Sequence, residues 1–297
     1  MNIKRIAVAI MLLVGLCAWV KPGLAQQPLK GQLRVADSTF IQMVKTVDGS
    51  SNLGRIIRID SLSVEFQTTV MTLTIPIDKI IEIREVPAES IKDGEYWFPN
   101  PNATRLFFGP TAHMLKGGEG YFSDTYVFFP QVVVGVTDFI TLGGGMSLFP
   151  GAGMDNQILY FMPKVGMAVN PMFHLAGGAL IIKIPDFDQD VSTVGILYGA
   201  GTYGGRDRSF TAGLGYGFVG DEMADRPMVM VGGEYRMSRR VSFVTENWLF
   251  PGLDQPLVSG GFRFFGEGLA VDIALANVLG EDMIMPGVPF IGFVYNF

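Results

Sequence analysis

Cysteine is all but missing from this chain. The single one, Cys17, falls within an apolar leader, so the remainder has no disulfide framework and no thiol chemistry. Histidine is nearly as scarce, with His113 and His174 the only imidazoles available as bases or metal ligands. Charge is thin: Asp, Glu, Lys and Arg make up 17%, where an ordinary soluble protein carries about 25%. A net charge of −6 excludes the clustered basic surface that nucleic-acid binding needs, so no nucleic-acid partner is expected. Long apolar runs are lacking too. Beyond the amino terminus, no stretch approaches the ~18 residues of a membrane-crossing helix.

The amino terminus itself reads as an address. Lys4 and Arg5 form a basic start, residues 6–20 an apolar core, and Gly23 and Ala25 place small residues before a cut at Gln26. That pattern predicts a secretory signal peptide over 1–25, removed on export. Leu16 stands before Cys17 where a lipoprotein signal requires a small residue, so no lipid anchor is expected.

What remains is apolar and rich in glycine, with 48% hydrophobic residues and 38 glycines. High apolarity without long apolar runs is the composition of strands whose two faces meet different surroundings. Residues 29–88 read as five short strands, near 39–46, 54–60, 63–68, 71–76 and 80–86. In these strands Ile57, Ile59, Leu62, Val64 and Phe66 are expected on one side, with Arg58 and Glu65 on the other. Residues 89–103 form a linker broken by Gly94 and Pro99, with Tyr96, Trp97 and Phe98 as an aromatic anchor at a membrane edge or a packed corner.

From residue 104 to 297 about twelve strand candidates follow, near 104–112, 119–134, 138–149, 157–169, 172–184, 191–203, 209–218, 227–236, 240–249, 256–265, 268–277 and 288–297. Residues 119–134 fit one long strand or two with a kink near Pro130. Each candidate is close to the roughly 9–11 residues that cross a bilayer when tilted. Short and long connections alternate along the series, as they do between the two ends of a membrane barrel. Arg206, Arg208, Arg239 and Arg240 fall in short turns; Asp221, Glu222, Asp225, Glu281 and Asp282 fall in long loops.

Alternation assigns the faces. Ile140, Leu142, Phe210, Leu214, Tyr216, Val229, Phe262, Phe264, Val271 and Ile273 should meet lipid, while Thr141, Gly143, Thr211, Gly213 and Gly261 should face inward. Five charged residues share the inward face: Lys164, Glu234, Arg236, Arg263 and Asp272. On the lipid face each would cost about 2–4 kcal/mol at mid-depth, so they are the candidates to line a lumen. Mixed signs suit either pairing across a closed interior or lining a pore, and the small inward residues favour a narrow channel.

The final strand, Phe290 to Phe297, carries Ile291, Phe293, Tyr295 and Phe297 on one face and ends on an aromatic residue. It resembles the closing strand of Gram-negative outer-membrane β-barrel proteins. The resemblance implies that Tyr295 and Phe297 form an assembly signal read by the barrel-assembly machinery. It also implies outer-membrane lipid as a surrounding partner and pairing of this strand with the first, near 104–110. In residues 29–88, the phrases G-R-I-I-R-I-D-S-L-S-V-E-F and I-P-I-D-K-I-I-E-I resemble SH3-like and Sm-like barrels. The expected fold is therefore all-β: a roughly twelve-stranded antiparallel transmembrane β-barrel over 104–297, preceded by a small five-stranded SH3-like or Sm-like periplasmic barrel.

Three motifs bear on chemistry. Gly213, Gly215 and Gly217 imitate a dinucleotide fingerprint but alternate inside a strand rather than opening a helix, so no cofactor is expected. Asp186, Asp188 and Asp190 have the alternate carboxylates of a calcium loop without its glycine or distal glutamate, which leaves a weak metal site or a solvated acidic loop. His174 is placed near a short turn and His113 near a long loop, with Thr111 beside it; no serine is arranged around either. The leading expectation is a passive channel for small solutes or a structural envelope protein. The alternatives are a membrane-anchored module whose amino-terminal domain docks a periplasmic protein and, third, a lipid hydrolase. A soluble secreted β protein is the rival at the level of the fold.

Overall fold

The computed structural model describes residue 29 and residues 31–185, 192–280 and 287–297. The leader, Asp186, Asp188, Asp190, Glu281 and Asp282 lie outside the described residues. No helix among the described residues is long and apolar enough to cross a membrane. The chain divides into two compact units, Met1–Trp97 and Phe98–Phe297.

The first unit contains one five-stranded antiparallel sheet. Its strands are β1 (Phe40–Thr46), β2 (Ser51–Ile59), β3 (Ser63–Gln67), β4 (Thr72–Pro76) and β5 (Ile80–Pro87), in the order β4-β3-β2-β1-β5. A 3-10 turn, Ile77–Lys79, joins the last two. Asp48 shapes the β1–β2 turn by accepting from the Thr46 hydroxyl (2.6 Å) and the Ser50 N–H (3.0 Å). Val44, Ile56, Val64, Phe66, Ile75, Ile80 and Ile83 form the core. One facing expectation is corrected here. Ile57, Ile59 and Leu62 are exposed and Ile56 is the core residue: Ile57 is the unpaired residue of a bulge between Ile56 and Arg58, and Ile59, opposite Val64, lies at the open end of the strand. A two-residue hairpin, β6 (Ile91–Lys92) with β7 (Glu95–Tyr96), ends the unit.

The second unit is a closed antiparallel barrel of twelve strands. They are β8 (Gly120–Thr125), β9 (Phe129–Thr137), β10 (Ile140–Met146), β11 (Leu159–Asn170), β12 (Phe173–Ile184), β13 (Ser192–Gly204), β14 (Arg208–Val219), β16 (Met228–Ser238), β17 (Val241–Leu249), β18 (Leu257–Phe265), β19 (Leu269–Val278) and β20 (Val288–Asn296). The two-residue β15 (Glu222–Met223) extends one loop against β14. Each strand pairs with its neighbours in sequence, and β20 pairs with β8 to close the wall, Gly292 opposite Thr125 and Asn296 opposite Tyr121. No edge is left to collect another chain.

The expected count of twelve therefore holds, but two of its parts differ. Residues 104–112 are not a strand of the wall, so the terminal strand does not pair there. Residues 119–134 contain two strands instead of one, turning at Tyr126 and Val127, which both take positive φ (56° and 67°). That left-handed pair is what an inverse hairpin turn needs, although neither residue favours it. Pro130 lies inside β9 and is not the break.

One end of the barrel collects the two- and three-residue turns after β9, β11, β13, β16 and β18, together with the carboxyl terminus. The other end collects the longer loops, with the tight Tyr126 turn as its exception. Outward residues are apolar and open: Val165, Leu175, Leu197, Phe210, Leu214, Phe262, Ile273 and Ile291 are all exposed. Inward positions carry Thr141, Ser147, Thr202, Thr211 and Ser242, all buried. In water such an outer surface would be a continuous apolar patch; facing hydrocarbon it is the required one.

Candidate functional site, the occupied lumen

Residues 98–115 lie inside the barrel and fill it with main chain. Pro99, Pro101 and Pro110 deny this stretch the regular hydrogen bonds of a wall strand. Asn100 Oδ1 accepts from the Asn102 N–H (2.9 Å) to bend the entry. The chain then doubles back, with Arg105 bridging to Pro110 and the Leu106 N–H donating to the Gly109 carbonyl (2.8 Å). Gly109 lets the tip approach the wall closely: a Cβ there would stand 2.1 Å from the Met230 sulfur, which would have to move. Leu106, Phe107, Met230, Val244, Ala274 and Phe290 pack as an apolar layer beneath this tip.

Both limbs leave through the short-turn end. Arg236, near the β16–β17 turn, donates to the Phe98 carbonyl (2.8 Å), and the Gly117 N–H donates to Asp138 (2.8 Å) in the β9–β10 turn. The segment is thus a hairpin plug inserted from one side.

The wall charges hold this plug. Arg263 is fully buried; its Nε donates to Asp272 Oδ1 (2.7 Å), Nη1 to Glu234 Oε2 (2.9 Å) and Nη2 to the Leu106 carbonyl (2.6 Å). Arg105 of the plug donates to the other oxygen of Asp272 (2.9 Å) and to the Leu106 and Phe107 carbonyls (3.0 Å each). The Asn100 amide donates to Glu234 (2.7 Å). Two arginines thus face two carboxylates across the plug–wall boundary, and their remaining donors end on carbonyls.

Two charges stand apart from that balanced set. Glu246 Oε2 gathers the N–H groups of Phe107, Phe108 and Gly109 (2.8–2.9 Å), while Oε1 accepts from Trp248 (2.7 Å). Lys164 donates to the carbonyls of Thr104 (3.3 Å), Thr111 (3.2 Å) and His113 (2.8 Å). Each is an ionisable side chain met by peptide groups in place of an opposite charge, so that its buried polar atoms are satisfied. The Thr202 hydroxyl accepts from the Ala112 N–H (2.7 Å) and shares a hydrogen bond with Thr211 (2.8 Å).

All five expected lumen residues therefore face inward, and each bonds the plug or a partner that does. Arg236 sits at the rim, between Phe98 and Phe265 and paired with Asp207 (2.8 Å). Two central residues were missed. Arg105 was hidden by the strand assigned over 104–112. Glu246 was accessible, since a charge at mid-strand in β17 must face in by the same rule that found Glu234.

Tyr295 and Phe297 are exposed on the outer face; the Phe297 main chain exchanges two 2.9 Å hydrogen bonds with Gly120 and so completes the wall. His113 is corrected in place: it lies beside His174 at the short-turn end, the ring centroids 4.4 Å apart, because the plug returns there. Thr111 bonds the His113 main chain and the Ala103 carbonyl, so its hydroxyl is not arranged as a nucleophile on the ring. Among the described residues no group of three or more metal-ligating side chains converges.

No protein-family model matches the chain, and no curated protein does. Solved structures that it is similar to include the KdgM porin, at 8% identity and a TM-score of 0.41 over 60% of this chain and 95% of that one. The same porin solved in complex with disordered oligogalacturonate matches equally. A loop L8 deletion mutant of OmpT, an outer membrane protein of Vibrio cholerae, matches at 12% identity and a TM-score of 0.32 over 87% of this chain and 97% of that one.

Proposed function

We propose that the protein is an outer-membrane barrel closed by its own plug, and that it serves as a structural anchor for the amino-terminal five-stranded domain. The observation that carries this reading is the use made of the lumen charges. Lys164, Glu234, Glu246, Arg263 and Asp272 are engaged with one another and with residues 98–113, leaving them no free valence for a passing solute.

The short-turn end, with the carboxyl terminus and both plug limbs, faces the periplasm in this reading, after export and cleavage of the leader. The barrel-assembly machinery would read Tyr295 and Phe297. The strand order of the first unit and the 3-10 turn before its last strand support the SH3-like or Sm-like comparison, and a periplasmic protein is the partner we assign to it. We assign it no enzymatic activity.

The rival is a narrow passive channel. Full-length protein in planar bilayers at pH 7.5 should give no unitary current, while gel mobility stays heat-modifiable and extraction requires detergent. A steady conductance in wild-type protein would sink the anchor reading in favour of the channel.

A further inference from the structure

The chain's only two histidines meet inside the barrel, one on the plug and one on the wall. His113 is 5% exposed, and the rings are tilted by 59°. His113 Nε2 and His174 Nδ1 are each buried without a hydrogen-bond partner, an arrangement that buried polar atoms rarely show.

The neighbours of this pair are positive or neutral. Lys164 of β11 donates to the His113 carbonyl (2.8 Å), and Arg206, in the turn after β13, acts electrostatically on both rings. Opposite His174 on the flanking strands stand Ala168 and Thr202, neither of which titrates. The Arg206 guanidinium has the Glu119 carboxylate 3.9 Å away. The Gly205 carbonyl facing His113 takes one ring N–H whether the ring is neutral or charged.

We propose that His113 and His174 form an acid-labile latch on the returning limb of the plug. With both rings neutral, the tilted pair packs edge against face and the orphan nitrogens cost only their lost partners. A proton added to either ring creates a donor with no acceptor and a positive charge beside Lys164, Arg206 and the second ring. In a released limb the same imidazoles meet water and titrate near their ordinary value of about 6.5. The seated form then binds fewer protons than the released form. Its advantage is complete above about pH 6.5 and falls as the pH drops, by up to about tenfold per pH unit for each histidine.

The tip of the plug should not share this response. No imidazole stands among the groups that hold the tip, which are Arg105, Arg263, Asp272 and Glu246, so the layer around residues 106–109 remains seated while residues 111–115 loosen. The inference rests on the closed-lumen reading and is tested apart from it.

Hydrogen exchange of tag-free, full-length protein in detergent, corrected for the intrinsic pH dependence of exchange, separates the two regions. From pH 7 to 5 the amides of Ala112 and His113 should open by one to two orders of magnitude per unit, while those of Phe107 to Gly109 stay protected. His113→Gln with His174→Gln should abolish the dependence, and His174→Gln alone should reduce it to about tenfold per unit. Heat-modifiable mobility establishes that each variant is folded. A pH-independent Ala112 in wild type, or the same rise in the double variant, overturns the latch while protected Phe107 to Gly109 amides leave the plug standing. Free exchange of Phe107 to Gly109 at pH 7.5 overturns both.

Discussion

The two units are inside-out versions of one another. In the five-stranded sheet the fully buried side chains are Val44, Ile56, Val64, Phe66 and Val86, with Gln42 the one polar member, and the ion pairs Arg34–Glu85 and Arg58–Glu65 lie on the surface. In the barrel the fully buried set includes Arg263, Asp272 and Glu246, and the surface is Leu, Val, Ile and Phe. Both are all-antiparallel sheets built by the same period-two alternation. The solvent outside decides which face carries charge, so the sheet is held by apolar burial and the barrel interior by matched polar groups.

That contrast can be broken at its strongest point, Arg263. Arg263→Met leaves Glu234 and Asp272 buried with much of their compensation removed, and should destabilise the barrel by about 3–5 kcal/mol. The loss would be read as a lower urea midpoint for heat-modifiable mobility. A change under ~1 kcal/mol would mean that the interior charges are not what holds the plug.

On the other side of the comparison, Ile56→Ala opens a cavity in a fully buried apolar site, at a cost of about 2–5 kcal/mol. Hydrogen exchange should show protection lost across β1–β5 with the barrel mobility unchanged. If the barrel also loses its folded mobility, the units are not independent.

The smallest effect sharpens the contrast at the surface. Hydrogen bonds from the Thr46 hydroxyl and then the Ser50 N–H hold the exposed Asp48 carboxyl below the usual aspartate range. Its support of the β1–β2 turn is therefore full above about pH 3.9 and is lost as the pH falls through the depressed native value. The Ser50 amide signal should report that transition, and Asp48→Asn should remove it. A midpoint above about 3.9 would contradict the assignment.

Much of the wall was legible because lipid imposes one face on every strand. In β14 the series Phe210, Ala212, Leu214 and Tyr216 is exposed while Thr211 and Gly215 are buried, as alternation alone predicts. The plug was not legible for a related reason. Residues 104–112 mix apolar and polar side chains as a wall strand does, and what separates the two is contact with Asp272 and Glu246, far along the chain. The turn at Tyr126 and Val127 carries no Gly, Asn or Asp to announce its positive φ. In the first unit the bulge at Ile57 breaks the period of β2, so that Ile56 and Ile59 share a face across an odd spacing, which periodicity cannot foresee.

The seam between Gly120 and Phe297 has a consequence for the order of events in the cell. A Cβ at position 120 would stand 2.7 Å from the Phe297 ring, so Phe297 is fitted against the first residue of the wall. The cylinder cannot close before residues 288–297 have been made. The plug, by contrast, is made early and enters and leaves by the same rim, so it need not be threaded and can be drawn into a finished wall tip first. A chain that has lost Phe297 would keep every bond its plug makes and yet give up the last two main-chain bonds of the seam around it.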